Sequence, residues 1–284
     1  VAGFLGAVGE VTRSVASSPR RRGSNHHWAS DQIGFRLHGD DKIIMEMITE
    51  KIQKIKRAFL DALFPIYCLG CEREGVWLCA DCLSAIRPQP LFLCPGCGFE
   101  SPGGTTHLRC LSLTPLSALV SPYHYAEPAV RRLIKEYKYH GATEIENILI
   151  GLTASGVNKL RTLFPAMAIV VPMPLHGSRE RARGFNQAAV LGGVVSRTLG
   201  FEMSMPLKRL RRTEEQARLE TAERHENCRG AFSCAPVAGD VILVDDVITS
   251  GATMSAAAAA LRAAGAEHVV GFALAHGRGD RLKI

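Results

Sequence analysis

Two hydrophobic rhythms alternate along this chain. After Ile44 the apolar positions Ile48, Ile52, Ile55, Phe59 and Leu63 recur at three- and four-residue steps. That spacing predicts an amphipathic helix over 44–63, with Lys51, Lys54, Lys56 and Arg57 on its other face. Ala168–Val171 and Val241–Val244 are instead unbroken apolar runs, the pattern of strands covered on both faces. Extending this reading gives strands over 116–125, 167–172, 205–210, 241–245 and 268–275. Helices are expected over 127–139, 143–160, 186–199 and 251–264. Strands alternating with helices imply an α/β fold, a mainly parallel sheet with helices on both faces. Pro128 near the start of one helix and Gly265 just after another agree with those boundaries.

The remaining composition changes this picture little. With 284 residues, 46% of them hydrophobic, there is ample chain for a core, and no apolar run is long enough for a membrane span. The formal net charge of +7 would fall once thiolates bound a metal, so charge alone is weak evidence for nucleic acid. Residues 1–43, with the unpatterned run Arg20–His27, read as disordered, as an extension created by a misplaced start codon, or as a functional basic arm. No basic region precedes the apolar stretch Phe4–Val8, which argues against a secretory signal and for a cytoplasmic location. The chain is thus expected in three parts: that extension, a module over 44–112, and an α/β domain over 113–284.

Seven of the nine cysteines fall between 68 and 110, in pairs two residues apart. Cys68 and Cys71, Cys79 and Cys82, Cys94 and Cys97, and finally His107 and Cys110 form four knuckles. Two thiolates so spaced grip one tetrahedral metal from a tight turn, and two knuckles complete a site. A reducing compartment favours metal over disulfides, and thiolate-rich sites select zinc. One or two zinc ions are therefore expected. His107 is either the first ligand of the fourth pair or a surface residue of a Gly-Thr loop. Gly70, Gly96 and Gly98 are expected to supply positive φ in the turns.

The run Val241–Thr253 carries the most chemistry. A buried strand ends in Asp245 and Asp246, followed by Thr249, Ser250, Gly251, Ala252 and Thr253 and then a helix. Unpaired N–H groups and the helix dipole at such a loop favour a phosphate. Two carboxylates beside a phosphate must face something else, either ribose hydroxyls or a Mg²⁺ shared with the phosphates. A ribose 5-phosphate bearing a pyrophosphate meets all of these demands. After strand 167–172, the exit loop with Pro174, Leu175, Arg179 and Arg183 offers guanidinium groups to a pyrophosphate, or is a solvated basic loop. The charged segment 211–230, with Arg212, Gln216 and Arg224, reads either as a lid that excludes water or as a surface helix.

Val241–Thr253 resembles the phosphoribosyl pyrophosphate (PRPP) motif of type I phosphoribosyltransferases. Together with the paired cysteines, it resembles the ComF family, linked to DNA uptake and natural competence. Val171–Leu175 with Arg179 and Arg183–Gln187 is similar to that family's P-x-P-L…R-G-F-N-Q signature. Arg212, Thr213, Gln216, Leu219, Arg224, Asn227 and Gly230–Phe232 resemble its mobile loop. Tyr125, Leu133, Ile134, Lys138 and Tyr139 resemble its early strand and helix. Cysteine is usual in that family where His107 stands. The resemblance implies a type I phosphoribosyltransferase-like sheet preceded by a double zinc ribbon, with PRPP and Mg²⁺ as ligands. It also implies single-stranded DNA and other DNA-uptake proteins as partners. Thr249 stands where purine-salvage members carry an acid, so it supplies no general base and leaves the acceptor undefined. Three functions stay open: a PRPP-binding protein of DNA uptake with phosphoribosyltransferase-type activity, a metabolic enzyme making a nucleotide from a base or amine, or a non-catalytic zinc-ribbon nucleic-acid binder with a relic PRPP pocket.

Overall fold

The computed structural model describes residues 65–140, 142–211 and 230–277, together with 47, 48 and 51. The extension over 1–43, most of the helix expected over 44–63, and Arg212, Gln216 and Arg224 lie outside the described residues. The described residues from 65 onward fall in one compact unit within Ala58–Ile284, and 47, 48 and 51 fall outside it. The cysteine-rich segment and the sheet both belong to that unit.

A parallel sheet forms its centre. Strand β1 (Ala118–Val120) and strand β2 (Tyr123–His124) follow one another along one side of β7 (Ala266–His276). On the other side of β7 lies β6 (Gly239–Ile248), and β3 (Ile169–Pro172) closes the sheet. The single strand expected over 116–125 is thus two short ones. Pro122 sits between them, has no N–H, and breaks the ladder. β6 runs further than expected, because β7 continues beside it as far as His276. β3 stops opposite Val244. Asp245 and Asp246 therefore lie within β6, just past the point where one neighbouring strand has ended.

Helices α2 (Pro128–His140), α3 (Thr143–Lys159) and α5 (Gln187–Leu199) cover one face. Leu133, Tyr137, Ile145, Leu149, Leu191 and Val195 pack there on Ile242, Val244 and Phe272. Helix α6 (Ala252–Ala263) covers the other, where Met254, Ala257 and Leu261 meet Val241, Leu243 and Ala273. Each large apolar side chain buried in this way contributes about 1.5–3 kcal/mol. Two elements escape hydrophobic pattern. Helix α4 (Gly177–Arg183) is too polar to show a period, and β5 (Phe232–Cys234) is too short. β5 pairs antiparallel with β4 (Leu207–Arg209), so the ends of segment 211–230 are held side by side.

The cysteine-rich segment is two copies of one turn. In the first, Glu72 N–H donates to Cys68 O at 2.9 Å and Cys68 N–H to Arg73 O at 2.8 Å. In the second, Gly98 N–H donates to Cys94 O at 2.9 Å and Cys94 N–H to Phe99 O at 2.8 Å. Helix α1 (Ala80–Ala85) carries the second knuckle. Cys68, Leu78 and Cys79 join the main core, and Gln89 and Thr106 donate backbone bonds to Pro122 and Ser117, both at 2.8 Å.

Candidate metal clusters and phosphate site

The eight candidate ligands gather in sequence order into two groups. Cys68, Cys71, Cys79 and Cys82 form one, and Cys94, Cys97, His107 and Cys110 the other. In each group the ligand atoms lie within 4.8 Å of one another. Gly70 and Gly96 serve by their size rather than, as expected, by positive φ. A Cβ on Gly70 would meet Cys82 Sγ at 2.6 Å, and one on Gly96 would meet Cys110 Cβ at 2.7 Å. The matching left-handed positions of the two turns are Glu72, at φ 65°, and Gly98, at φ 68°. Only Gly98 fills the role expected of it.

In each group one thiol is disposed to ionise and another resists it. Burial raises the Cys68 thiol, but N–H groups around it, among them those of Gly70 and Cys79 at 3.4 Å, outweigh that and bring it down to about 6. Burial likewise opposes the lowering of Cys94, which receives the His107 N–H at 3.3 Å. Bonding to Cys79 and Cys71 pushes Cys82 up to about 12, and burial with bonding to Cys97 pushes Cys110 up to about 11. Thiols so close cannot all ionise unless a cation joins them. His107 is oriented as a ligand needs to be. Its Nε2–H donates to Glu100 O at 3.2 Å, which leaves the Nδ1 lone pair facing Cys97 Sγ at 3.3 Å. Both clusters could hold a metal ion.

The second site lies at the carboxyl end of β6. Asp246 is gripped by Lys138 of α2, whose Nζ lies 2.8 Å from Oδ2 and 3.0 Å from Oδ1. Asp245 accepts the backbone N–H of Asp246 at 2.8 Å. Its carboxyl is pushed up to about 7 by burial and then by the charge of Asp246, while that N–H bond, Lys138 and Arg209 pull it down. The loop then turns at Gly251, at φ 79°, into α6. Thr249 is exposed and Ser250 is buried. Among the described residues, the Ser250 hydroxyl has no hydrogen-bond partner. Buried hydroxyls almost always find one, which leaves a water or a ligand to supply it here, as for Ser121, Gln187 and His276.

The arginine-bearing segment after β3 is helical rather than an open loop. His176 caps α4 by accepting Ser178 N–H at 3.3 Å, and Gly184, at φ 78°, ends it. Arg183 donates to Gln187 Oε1 at 3.0 Å, and Arg179, Pro174 and Leu175 are half-buried. Phe185 packs on Tyr137 with ring centroids 4.8 Å apart, and Asn186 Nδ2 donates to Met173 O at 3.1 Å. The start of α5 is thereby pinned to the end of β3. Lys138 is the site residue that sequence pattern alone does not assign. Its helix is legible, but its reach to Asp246 across 108 positions is not.

Residues 124–283 match the family model described as Phosphoribosyl transferase domain. Fold and site together define a chain carrying a domain of that class. Competence protein F of Haemophilus influenzae is 31% identical over 208 residues, covering 70% of this chain and 90% of that protein. DNA utilization protein YhgH of Escherichia coli K12 is 35% identical over 205 residues, covering 69% and 88%. Competence protein ComFC of Bacillus subtilis is 28% identical over 196 residues, covering 65% and 77%. The chain belongs to the ComF family. Among the described residues, no helix is long and apolar enough to cross a membrane.

Proposed function

We propose that this protein binds PRPP through its sheet domain, holds two structural zinc ions, and acts in DNA uptake or DNA utilisation. The observation that carries the PRPP reading is the buried Ser250 hydroxyl, unpartnered among the described residues, at the turn into α6, just beyond the end of the acid pair's own strand. Loop 249–253 receives the 5-phosphate, through Ser250 and the N–H groups opening α6. Asp245 and Asp246 accept the ribose hydroxyls. Arg179 and Arg183 are the guanidinium groups that take the pyrophosphate. The acids are hard oxygen donors, so Mg²⁺ suits the same end of the sheet; when bound it neutralises pyrophosphate oxygens. Arg212, Gln216 and Arg224 belong to a closing segment in this reading. The acceptor is sought by screening pyrophosphate release from PRPP over bases and amines; release with any one of them makes the protein a phosphoribosyltransferase.

Thermal unfolding tests the binding itself. PRPP with Mg²⁺ at a hundredfold excess over its Kd should add about 2.7 kcal/mol of stability. Ser250→Ala should lower that gain at equal ligand, by roughly 1 kcal/mol for one lost hydrogen bond. A wild type whose melting ignores PRPP would falsify the reading.

Asp245 makes the site pH-dependent. Its folded value lies above the ordinary 3.8, so between about pH 4 and about pH 7 the folded protein holds a proton that the unfolded chain has lost. Its stabilising contribution is therefore present in acid and lost as pH rises through that window. PRPP binding runs the other way, because ribose hydroxyls donate best to the carboxylate. Affinity for PRPP is expected to rise from about pH 6 to about pH 8, and a flat calorimetric profile would remove Asp245 from the site.

Single-stranded DNA is assigned to the cysteine-rich segment. Tyr67 and Phe99 are 49% and 55% exposed on the two matching turns, whereas Trp77 and Phe92 pack against the core. Exposed aromatics offer stacking surfaces, and Arg87 and Arg73 add positive charge, the latter shared with Asp81 at 3.2 Å. Replacing Tyr67 and Phe99 by Ala should weaken binding of a labelled oligonucleotide by about 1–3 kcal/mol per lost stack, and affinity should fall steeply with salt. Unchanged affinity in the double variant would place the DNA site elsewhere.

A further inference from the structure

We propose that Lys138 serves two partners in turn: Asp246, which it grips here, and the pyrophosphate of PRPP, to which it passes when the ribose hydroxyls take that carboxylate. This rests on the PRPP reading above and adds to it a binding residue from α2. The geometry is specific. The ammonium reaches both oxygens of Asp246, at 2.8 and 3.0 Å, in a pair whose side chains are 23% and 13% exposed. The Lys138 side chain is thus partly open to solvent.

The helix that carries Lys138 is fixed, whereas its side chain is long and partly exposed. Val130, Leu133, Ile134 and Tyr137 anchor α2 in the core, and Tyr137 both donates to Glu146 and packs on Phe185. Phe185 comes directly after Gly184, the cap of the arginine-bearing α4. One anchored helix thus connects the acid pair to the segment that reads as the pyrophosphate side. A lysine stem of four carbons can swing its charge by several ångströms without moving that helix, and an ammonium binds phosphate as a point charge from many directions.

The electrostatics call for such an exchange. PRPP brings several negative charges to a strand end that already carries two carboxylates. A cation bound to Asp246 cannot serve the pyrophosphate as well at full strength. Hydroxyls donating to Asp246 replace what the carboxylate gives up, so the ammonium can leave it without stranding a half-buried charge.

Two probes separate this from simpler roles. PRPP has the pyrophosphate; ribose 5-phosphate has the same hydroxyls and 5-phosphate without it. In Lys138→Met, the Kd for PRPP should rise roughly 10- to 100-fold, the size of a lost charge-assisted hydrogen bond, while that for ribose 5-phosphate stays unchanged or falls. Lys138→Arg should hold PRPP within a few-fold of wild type. Equal weakening for both ligands would make Lys138 only a support of the acid pair, and tighter PRPP binding would make it only a competitor; either overturns the proposal. A wild type that binds neither ligand overturns the PRPP reading itself. Should Lys138→Met fold poorly, the Lys138 Cε resonance in the wild type, assigned by its absence from Lys138→Arg, must shift when PRPP is added. A resonance that stays in place counts against the exchange.

Discussion

Stripping the metal from purified protein is expected to unfold the cysteine-rich segment and lower the melting temperature of the remainder. Each cluster holds its ligand atoms within 4.8 Å, with donor sets of four thiols and of three thiols plus an imidazole. Without a cation, bonding to neighbouring thiols keeps Cys82 protonated up to about 12, and burial does the same for Cys110 up to about 11. A divalent ion lets all of the thiols ionise and draws them together. Structural zinc in small modules is worth ~10–16 kcal/mol, more than a segment this short could gain from its own apolar contacts. Metal analysis should find two zinc ions per chain, and a chelator should release both. Gly70→Ala should lose one, because its Cβ would occupy the space of Cys82 Sγ. His107→Ala should likewise lose one, from the other cluster. Fewer than about one zinc per chain would reject the metal-binding role of the cysteines. Cys68 and Cys79 belong to the core that carries the sheet, so the damage should extend into the neighbouring domain.

Much of this architecture is legible in the sequence. Unbroken apolar runs mark the central strands, because a strand covered on both faces admits nothing polar. The x₂ spacing of the cysteines brings out all eight candidate ligands, since the geometry of a knuckle is local. Locality also sets the limit of such reading. The break at Pro122 is within reach of it, because a proline inside an expected strand is a warning. Helix α4 is not, for a run of Ser, Arg and Glu with a single Ala between two glycines has no apolar face; its stop at Gly184 is the available clue. Gly70 and Gly96 invite the wrong role, because their close approach to Cys82 and Cys110 is a tertiary fact. Lys138 escapes for the same reason, as one basic residue among several on its helix. Pattern places the acid pair at the end of its strand, whereas β7 carries the ladder past it. That difference bears on the proposed site, since the ladder fixes the backbone from which both carboxylates project.

Replacing Asp245 and Asp246 together by Ala is expected to abolish PRPP binding and leave the fold intact. The pair is where the loop, the strand end and Lys138 converge, held by that ammonium and by the bond from the Asp246 backbone N–H to the Asp245 carboxylate. Losing two charge-assisted acceptors for the ribose hydroxyls should cost about 3–6 kcal/mol, a factor of at least about a hundred in Kd. Stability should change little, or rise, because two crowded carboxylates disappear and Asp245 no longer titrates near about 7. The decisive measurement is therefore titration calorimetry of PRPP with Mg²⁺ into the wild type and into Asp245→Ala/Asp246→Ala, each checked for folding by its melting curve. Binding in the wild type with none in a folded double variant is the expected result. Equal binding in the two, or no binding in the wild type, would contradict it.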